Sequence, residues 1–210
     1  MELRKTGEGR KAEDKVPTVS AGGVPDGEPK HWYVAIVKRN SEKVCREALT
    51  ANGYKAYVAT QTIVRSYAKR KPKPVEQVVI PSKVFIQLPH FTPAERTQFF
   101  CLHPFITNFM YDVARERTSY GMAKLAAIPD FEIQRLRQML SDTEHPVAFG
   151  ELNATYAVGT RVRVTHGPMS GYEGVIAQRK GKSYFAMQTQ YLNCAFVQIP
   201  FEYFEPIDTK

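Results

Sequence analysis

Large apolar residues are scarce over positions 1–30, where Pro17, Pro25 and Pro29 alternate with glycines and charges of both signs. A segment of that kind buries too little surface to offset the entropy of ordering it, and it reads as a disordered tail. The pattern changes at His31, where HWYVAIV predicts a buried strand. Ser41 then opens a helical stretch with Val44, Cys45, Ala48 and Leu49 at helical spacing, and Asn52-Gly53 closes it. Ala56–Val64 is rich in β-branched and aromatic residues and predicts a strand. SYAKRKPKP reads as a basic loop, and VEQVVIP and VFIQL as two further strands. Thr92-Pro93-Ala94-Glu95 has the form of a helix start, and His103-Pro104 ends that helix. FITNFMY predicts a strand; IPDFEIQRLRQML predicts a helix with Ile133, Leu136 and Leu140 on one stripe.

Residues 31–140 therefore interleave helices with strands, which argues for an α+β layer of helices on a sheet. Residues 141–155, SDTEHPVAFGELNAT, read as a flexible polar linker. Beyond it, TRVRVTH, YEGVIAQ, SYFAMQT and CAFVQIP alternate with turns at intervals of about ten residues, and no helical pattern intervenes. Residues 156–210 read as a small β-barrel. The two patterns on either side of the linker predict two domains that behave independently.

Charge sharpens this division. The 210-residue chain has a net charge of +8. Residues 1–30 balance to zero, residues 31–140 carry +9, and residues 141–210 carry −1. The excess belongs to one segment, which suggests a polyanion contact there. Arg65, Lys69, Arg70, Lys71 and Lys73 place five cations within nine residues, and Tyr67 among them could stack on a base. Lys38 and Arg39 follow the first strand as a pair that can point outward together.

Candidate catalytic chemistry is sparse. Cys45, Cys101 and Cys194 are far apart and odd in number, so they build no disulfide scaffold and no C-x-x-C zinc site; they read as reduced, mostly buried thiols. His31, His90, His103, His145 and His166 sit in no metal-ligand spacing and read as surface or loop residues. Gly181-Lys182-Ser183 lacks the first glycine of a phosphate loop and precedes a strand, so it reads as a hairpin turn. Ser170, in G-P-M-S-G, is no nucleophile elbow. No enzyme activity, cofactor or metal is expected. No apolar run approaches the roughly 18 residues of a membrane helix, and no secretory signal opens the chain, so a cytoplasmic monomer is expected.

One motif is specific. Gly159–Val164 forms an alternating strand, Gly167-Pro168 makes a turn, Gly171 and Gly174 allow a tight reversal, and Val175-Ile176 begins the return strand. This resembles the KOW motif. Further upstream, Trp32-Tyr33-Val34, Ile80-Pro81-Ser82-Lys83-Val84-Phe85-Ile86, His103-Pro104-Phe105-Ile106, Asn108-Phe109 and Ala127-Ile128-Pro129-Asp130 resemble the NGN domain of NusG-type transcription elongation factors. The chain departs from that family's pattern at Ser82 and Phe105, where the family has glycines, and at Lys83 and Met169, where it has aromatics. The resemblance covers residues 31–210 and is nearest the UpxY-type paralogues associated with capsular polysaccharide operons, with RfaH a relative.

The resemblance implies an NGN-like α/β sandwich, with helices on a mostly antiparallel sheet, followed by an SH3-like KOW barrel. It implies a transcription elongation and antitermination factor that binds the β′ clamp helices of RNA polymerase and holds the clamp closed. Side-chain alternation puts Val84, Ile86 and Leu88 on the sheet face expected under helices and Phe85 on the other. Phe85, with Tyr33 or Tyr57 beside it, is then the expected apolar polymerase-binding patch, and Lys83 its charged neighbour. The same resemblance directs Lys38 and Arg39 toward non-template DNA or nascent RNA. It makes Met169 and Tyr172 a docking loop for a second partner, the NusE ribosomal protein or Rho. A KOW protein that binds RNA or ribosomes without polymerase is the alternative; a basic barrel would mark it, and the barrel segment here is net −1.

Overall fold

The computed structural model describes residues 31–67, 70–89, 93–112, 124–152, 157–189 and 192–207. The expected tail over residues 1–30, Lys69, His90 and the Thr92 cap lie outside the described residues.

The N-terminal sheet is built on β1 (His31–Val37), which is apolar at nearly every position and buried on both sides. It pairs antiparallel with β5 (Lys83–Leu88), and β2 (Lys55–Tyr57) and β6 (Ile106–Phe109) flank this pair in the order β2-β5-β1-β6. The two-residue β7 (Ala127–Ile128) pairs with Trp32 and Tyr33 at one end of β1. Register places Tyr33 opposite Ile86 and Val34 opposite Phe85, so directly opposed residues share a face. Tyr33, Ala35, Val37, Val84, Ile86 and Leu88 pack under α1 (Glu42–Ala51) and α2 (Pro93–Leu102) through Cys45, Leu49 and Phe99. Trp32, Val34 and Phe85 face the other way, where α3 (Asp130–Leu140) lays Ile133, Leu136, Met139 and Leu140 on them. The sheet thus has helices on both faces.

The segment expected as one strand from Ala56 to Val64 divides into β2 and β3 (Thr60–Tyr67), with Val58 and Ala59 buried between them. Of the expected basic loop, residues 66–67 continue β3 and residues 70–74 open β4 (Arg70–Val78), which takes in the start of the strand expected at VEQVVIP and pairs with β3 as a separate two-stranded ribbon. Pro72 and Pro74 are compatible with this ribbon because a strand with one neighbour leaves its outer N–H positions unpaired.

The C-terminal sheet runs β13-β9-β10-β11-β12-β8, all antiparallel. Its strands are β8 (Val147–Gly150), β9 (Ala157–Val164), β10 (Glu173–Arg179), β11 (Lys182–Gln188), β12 (Cys194–Val197) and β13 (Phe204–Pro206). Among the described residues no pairing joins β8 to β13, so the sheet is open rather than the closed barrel expected. The β10–β11 reversal at Lys180 and Gly181 has both φ angles positive, 50° and 73°, a hairpin turn as the sequence suggests.

β8 also changes the reading of residues 141–155 as a flexible linker. Val147 is buried and the strand adds to the edge of β12. Asp142 is buried too, and Gln61 of β3 reaches this stretch: its Nε2 donates to the carbonyls of Asp142 (2.7 Å) and His145 (3.0 Å). Gln61 Oε1 accepts the Val147 N–H at 2.9 Å. Polar composition suggests a solvated linker, but the Asp142 and His145 carbonyls and the Val147 N–H find protein partners instead, and residues 153–155 of that stretch lie outside the described residues. One continuous apolar core joins Trp32, Phe85 and the α3 stripe to Val162, Val164, Met169, Tyr172 and Phe185. The two sheets expected to behave independently are packed together around α3.

Candidate functional site

The candidate site is the cationic end of the N-terminal sheet and the ribbon beside it. β1 ends at Val37, and Lys38 and Arg39 lie exposed in the turn before α1. Asn40 closes that turn at φ 66°. Ser41 fastens it: its N–H donates to the Lys38 carbonyl at 3.1 Å, and its hydroxyl donates to the same oxygen. The ribbon leaves the sheet next to α1, and Lys43 Nζ meets Glu76 Oε2 at 2.5 Å. The Lys43 ammonium, with Thr60 beside it, holds the Glu76 carboxyl below its ordinary range. Register sets Arg65 opposite Lys73, and Tyr67 opposite Arg70, towards the ribbon's tip. Lys71 lies on the same strand and Lys73 is exposed. The structure therefore brings Arg65, Tyr67, Arg70, Lys71 and Lys73 into one ribbon, with Lys38 and Arg39 at the sheet end. Strand pairing fixes the spacing of these positions along the backbone, which a loop would not.

The expected apolar patch is absent from the surface. Phe85 is 0% exposed and Tyr33 3% exposed. Tyr33 lies on the α1/α2 side of the sheet, away from Phe85. Tyr57 does neighbour Phe85, with ring centroids 5.8 Å apart, on the face that α3 covers. Alternation correctly separates Phe85 from Val84, Ile86 and Leu88; it carries no information on what covers each face. Tyr57 is capped by the Arg137 guanidinium 4.8 Å from its ring, and the same guanidinium lies 5.5 Å from the Trp32 ring. Burial pushes the Tyr57 hydroxyl up to about 12 although Arg137 opposes the shift. Trp32 Nε1 donates to Asp130 Oδ1 at 2.8 Å, which ties β1 to the start of α3.

Met169 and Tyr172 are likewise engaged within the chain. Met169 is 2% exposed and Tyr172 6% exposed. The Tyr172 hydroxyl lies 3.0 Å from Gln138 Oε1 and 3.3 Å from the Arg135 carbonyl. The Arg135 guanidinium lies 5.3 Å from the Tyr172 ring centroid, a cation–π contact. The loop expected to receive a partner rests on α3 here.

Three features escaped the sequence reading. Arg135 and Arg137 carry no distinguishing signal in the sequence; only the tertiary packing shows their aromatic partners. Asp142 binds His145 Nδ1 at 2.8 Å through Oδ2, and accepts the Glu144 and His145 N–H groups through Oδ1. Glu42, 3% exposed, accepts the Ser82 N–H at 2.6 Å. An acidic residue in a helix's first turn is ordinary on dipole grounds, so its sequence position did not reveal a partner forty residues away.

The histidine reading needs revision at one position, while the cysteines are mostly buried as expected. His103, expected at the surface, is buried against Tyr54 and Phe99, and burial lowers its pKa. Cys45 and Cys194 are buried, which pushes both thiols up to about 11, whereas Cys101 is exposed. Among the described residues, no group of three or more His, Cys, Asp or Glu could hold a metal ion, and no helix is long and apolar enough to cross a membrane.

Residues 30–137 match the family model described as transcription termination factor NusG. Among solved structures, one described as domain interaction in Thermotoga maritima NusG aligns at 16% identity over 86% of this chain and 98% of its own, with a TM-score of 0.47. An MjSpt4:Spt5 complex aligns at 10% identity over 85% of this chain and 99% of its own, with a TM-score of 0.25. No curated protein matches.

Proposed function

The chain belongs to the NusG family, and from that premise we infer that it binds RNA polymerase and regulates transcription elongation. The observation that carries this is the family match over residues 30–137, which spans the three-helix α/β unit as far as Arg137 within α3, together with its cationic end. The N-terminal unit would contact the β′ clamp helices and favour the closed clamp, shifting a conformational equilibrium away from pausing and termination. The cationic ribbon and the Lys38-Arg39 turn would follow single-stranded nucleic acid at the transcription bubble. The C-terminal sheet, read as a KOW domain, would recruit NusE or Rho. Its Met169–Tyr172 loop rests on α3, so recruitment through that loop requires the C-terminal sheet to separate from α3. The departures at Ser82, Lys83, Phe105 and Met169 fit a specialised paralogue, and the resemblance of the sequence is nearest the UpxY kind.

The test is capture of RNA polymerase from source-cell lysate by the full chain, followed by transcription with the purified polymerase. Polymerase subunits in the capture and shorter pauses with added protein are the expected result. Ribosomes captured without polymerase, and unaltered pausing, would replace this reading with that of a ribosome-binding protein.

A further inference from the structure

We propose that Lys83 joins Lys38 and Arg39 in one phosphate-binding cluster for single-stranded nucleic acid, and that the buried Glu42 carboxylate is the positioning residue that assembles it. This rests on the nucleic-acid part of the function inferred above and adds two residues to it.

The three cations come from two turns more than forty residues apart in sequence. The β1–β5 register brings those turns together: Ile36 opposes Lys83, so β5 begins where β1 is about to end. The Val37 N–H donates to the Ser82 carbonyl at 3.0 Å, continuing the pairing by one residue. Lys38 and Arg39 follow at once and are exposed; Lys83 is half-buried at the same sheet end.

Both turns are held in an unfavourable backbone conformation. Asn40 has φ 66° and Ser82 has φ 61°. The left-handed region is tolerable for asparagine but sterically disfavoured for serine. Such a conformation persists when its surroundings over-determine it, and it concentrates where geometry serves a function. At Ser82 the determinant is visible. Its carbonyl is taken by Val37 and its N–H by Glu42 Oε1 at 2.6 Å. Glu42 sits in the first turn of α1, directly after Ser41, which fastens the Lys38 carbonyl. One helix turn therefore grips both cationic turns.

Glu42 is poorly placed to neutralise this cluster from the surface. It is 3% exposed, and one carboxylate oxygen is committed to a backbone N–H. A carboxylate bound to a backbone N–H has a structural use, while the exposed Lys38 and Arg39 and the half-buried Lys83 leave one sheet end cationic. Phosphates of a single strand fit this better than an acidic protein helix, because the cationic ribbon, tied to the same helix by the Lys43–Glu76 pair, offers the strand a continuation.

The proposal separates position from charge. Affinity of the full chain for mixed-sequence single-stranded DNA, and separately RNA, is measured across a salt series. Lys83→Ala is expected to lower the magnitude of the salt slope by about 0.7, one phosphate contact on a single strand, and Lys83→Arg to restore it. Glu42→Ala makes the protein more cationic and yet is expected to bind more weakly, with a reduced slope. Glu42→Gln, whose amide oxygen can still accept the Ser82 N–H, is expected to retain wild-type slope. Melting curves show whether each variant is folded. A folded Glu42→Ala that binds more tightly overturns the positioning role. An unchanged slope in Lys83→Ala removes Lys83 from the cluster; if that variant instead weakens polymerase capture, Lys83 belongs to a protein contact. If Glu42→Ala fails to fold, the Lys83→Ala slope decides the cluster and Glu42→Gln decides whether the acceptor oxygen suffices. The double variant Lys38→Ala/Arg39→Ala guards the underlying reading: an unchanged slope there means that the nucleic-acid contact itself is wrong.

Discussion

The Tyr172 hydroxyl lies 3.0 Å from Gln138 Oε1, and through this hydrogen bond the glycine-rich turn of the C-terminal sheet is fastened to the last helix of the N-terminal unit. The tyrosine ring adds a cation–π contact with Arg135, and Met169 and Phe185 continue the joint core. Docking at this joint therefore combines a directional polar contact with buried apolar area.

Tyr172→Phe keeps the ring and removes the hydroxyl. A hydrogen bond of this kind contributes on the order of 1 kcal/mol. The undocked population should then rise about fivefold, at 1.4 kcal/mol per decade. Limited proteolysis within residues 141–152 reports it, because cleavage there needs local opening. A cleavage rate equal to that of the unaltered chain would mean that the hydroxyl contact contributes nothing to docking.

Phe85→Ala should behave as a core truncation. Phe85 is fully buried beneath α3, with Tyr57 beside it. Removing a buried phenylalanine side chain costs about 3–5 kcal/mol. The denaturation midpoint should fall accordingly, and any loss of polymerase binding should accompany the loss of fold. A variant with unaltered stability and impaired binding would put Phe85 back in a contact surface.

The elements were largely legible because their apolar periodicity is local. Cys45 and Leu49 fix the inner side of α1, and Ile133, Leu136 and Leu140 that of α3, at spacings the sequence displays. The cover over Phe85 was not legible, since alternation sorts side chains into faces without saying what lies on each. The first half of β4 was hidden because a two-stranded ribbon needs no buried face, so Lys71, Pro72, Lys73 and Pro74 carry no strand signature, whereas Val75–Val78 lie in the strand expected at VEQVVIP. The candidate cations could be read from charge density, whereas the grip of Glu42 on Ser82 depends on β-sheet register and has no local signal.

Asp142 gives the joint a dependence on acid. Burial would raise its carboxyl, but the His145 and Glu144 N–H groups and the His145 ring outweigh that effect and hold its pKa below the ordinary 3.8. A depressed carboxyl contributes stability that is fully present above its unfolded pKa and is lost as pH falls through the folded value. Acid should therefore loosen residues 141–147, which Gln61 ties to the ribbon. Asp142→Asn should flatten the acid side of the stability profile, measured as denaturation midpoint against pH. An acid limb that persists undiminished in the variant would assign the effect to other carboxylates.

Gly174 supplies the sharpest test of the C-terminal packing. A Cβ built there would stand 2.5 Å from the Ala186 carbonyl oxygen and 2.7 Å from Phe185 Cε2. The first of these is backbone in the neighbouring strand, where Val175 pairs with Ala186, so rotating a side chain cannot relieve the clash. Either the β10–β11 pair must separate locally or Phe185 must leave its place in the core shared with α3. Overpacking of this sort costs about 1–3 kcal/mol. Gly181→Ala is the control: nothing lies within 4 Å of its Cβ, and the substitution is opposed only by the positive φ of 73°. That penalty is about 1–2 kcal/mol and stays within the hairpin turn. Gly174→Ala should therefore both lower the melting temperature and speed proteolysis within residues 141–152, whereas Gly181→Ala should lower the melting temperature without changing the docked fraction. Equal effects of the two substitutions on docking would show that Gly174 is not needed for the close approach of β10 to Phe185.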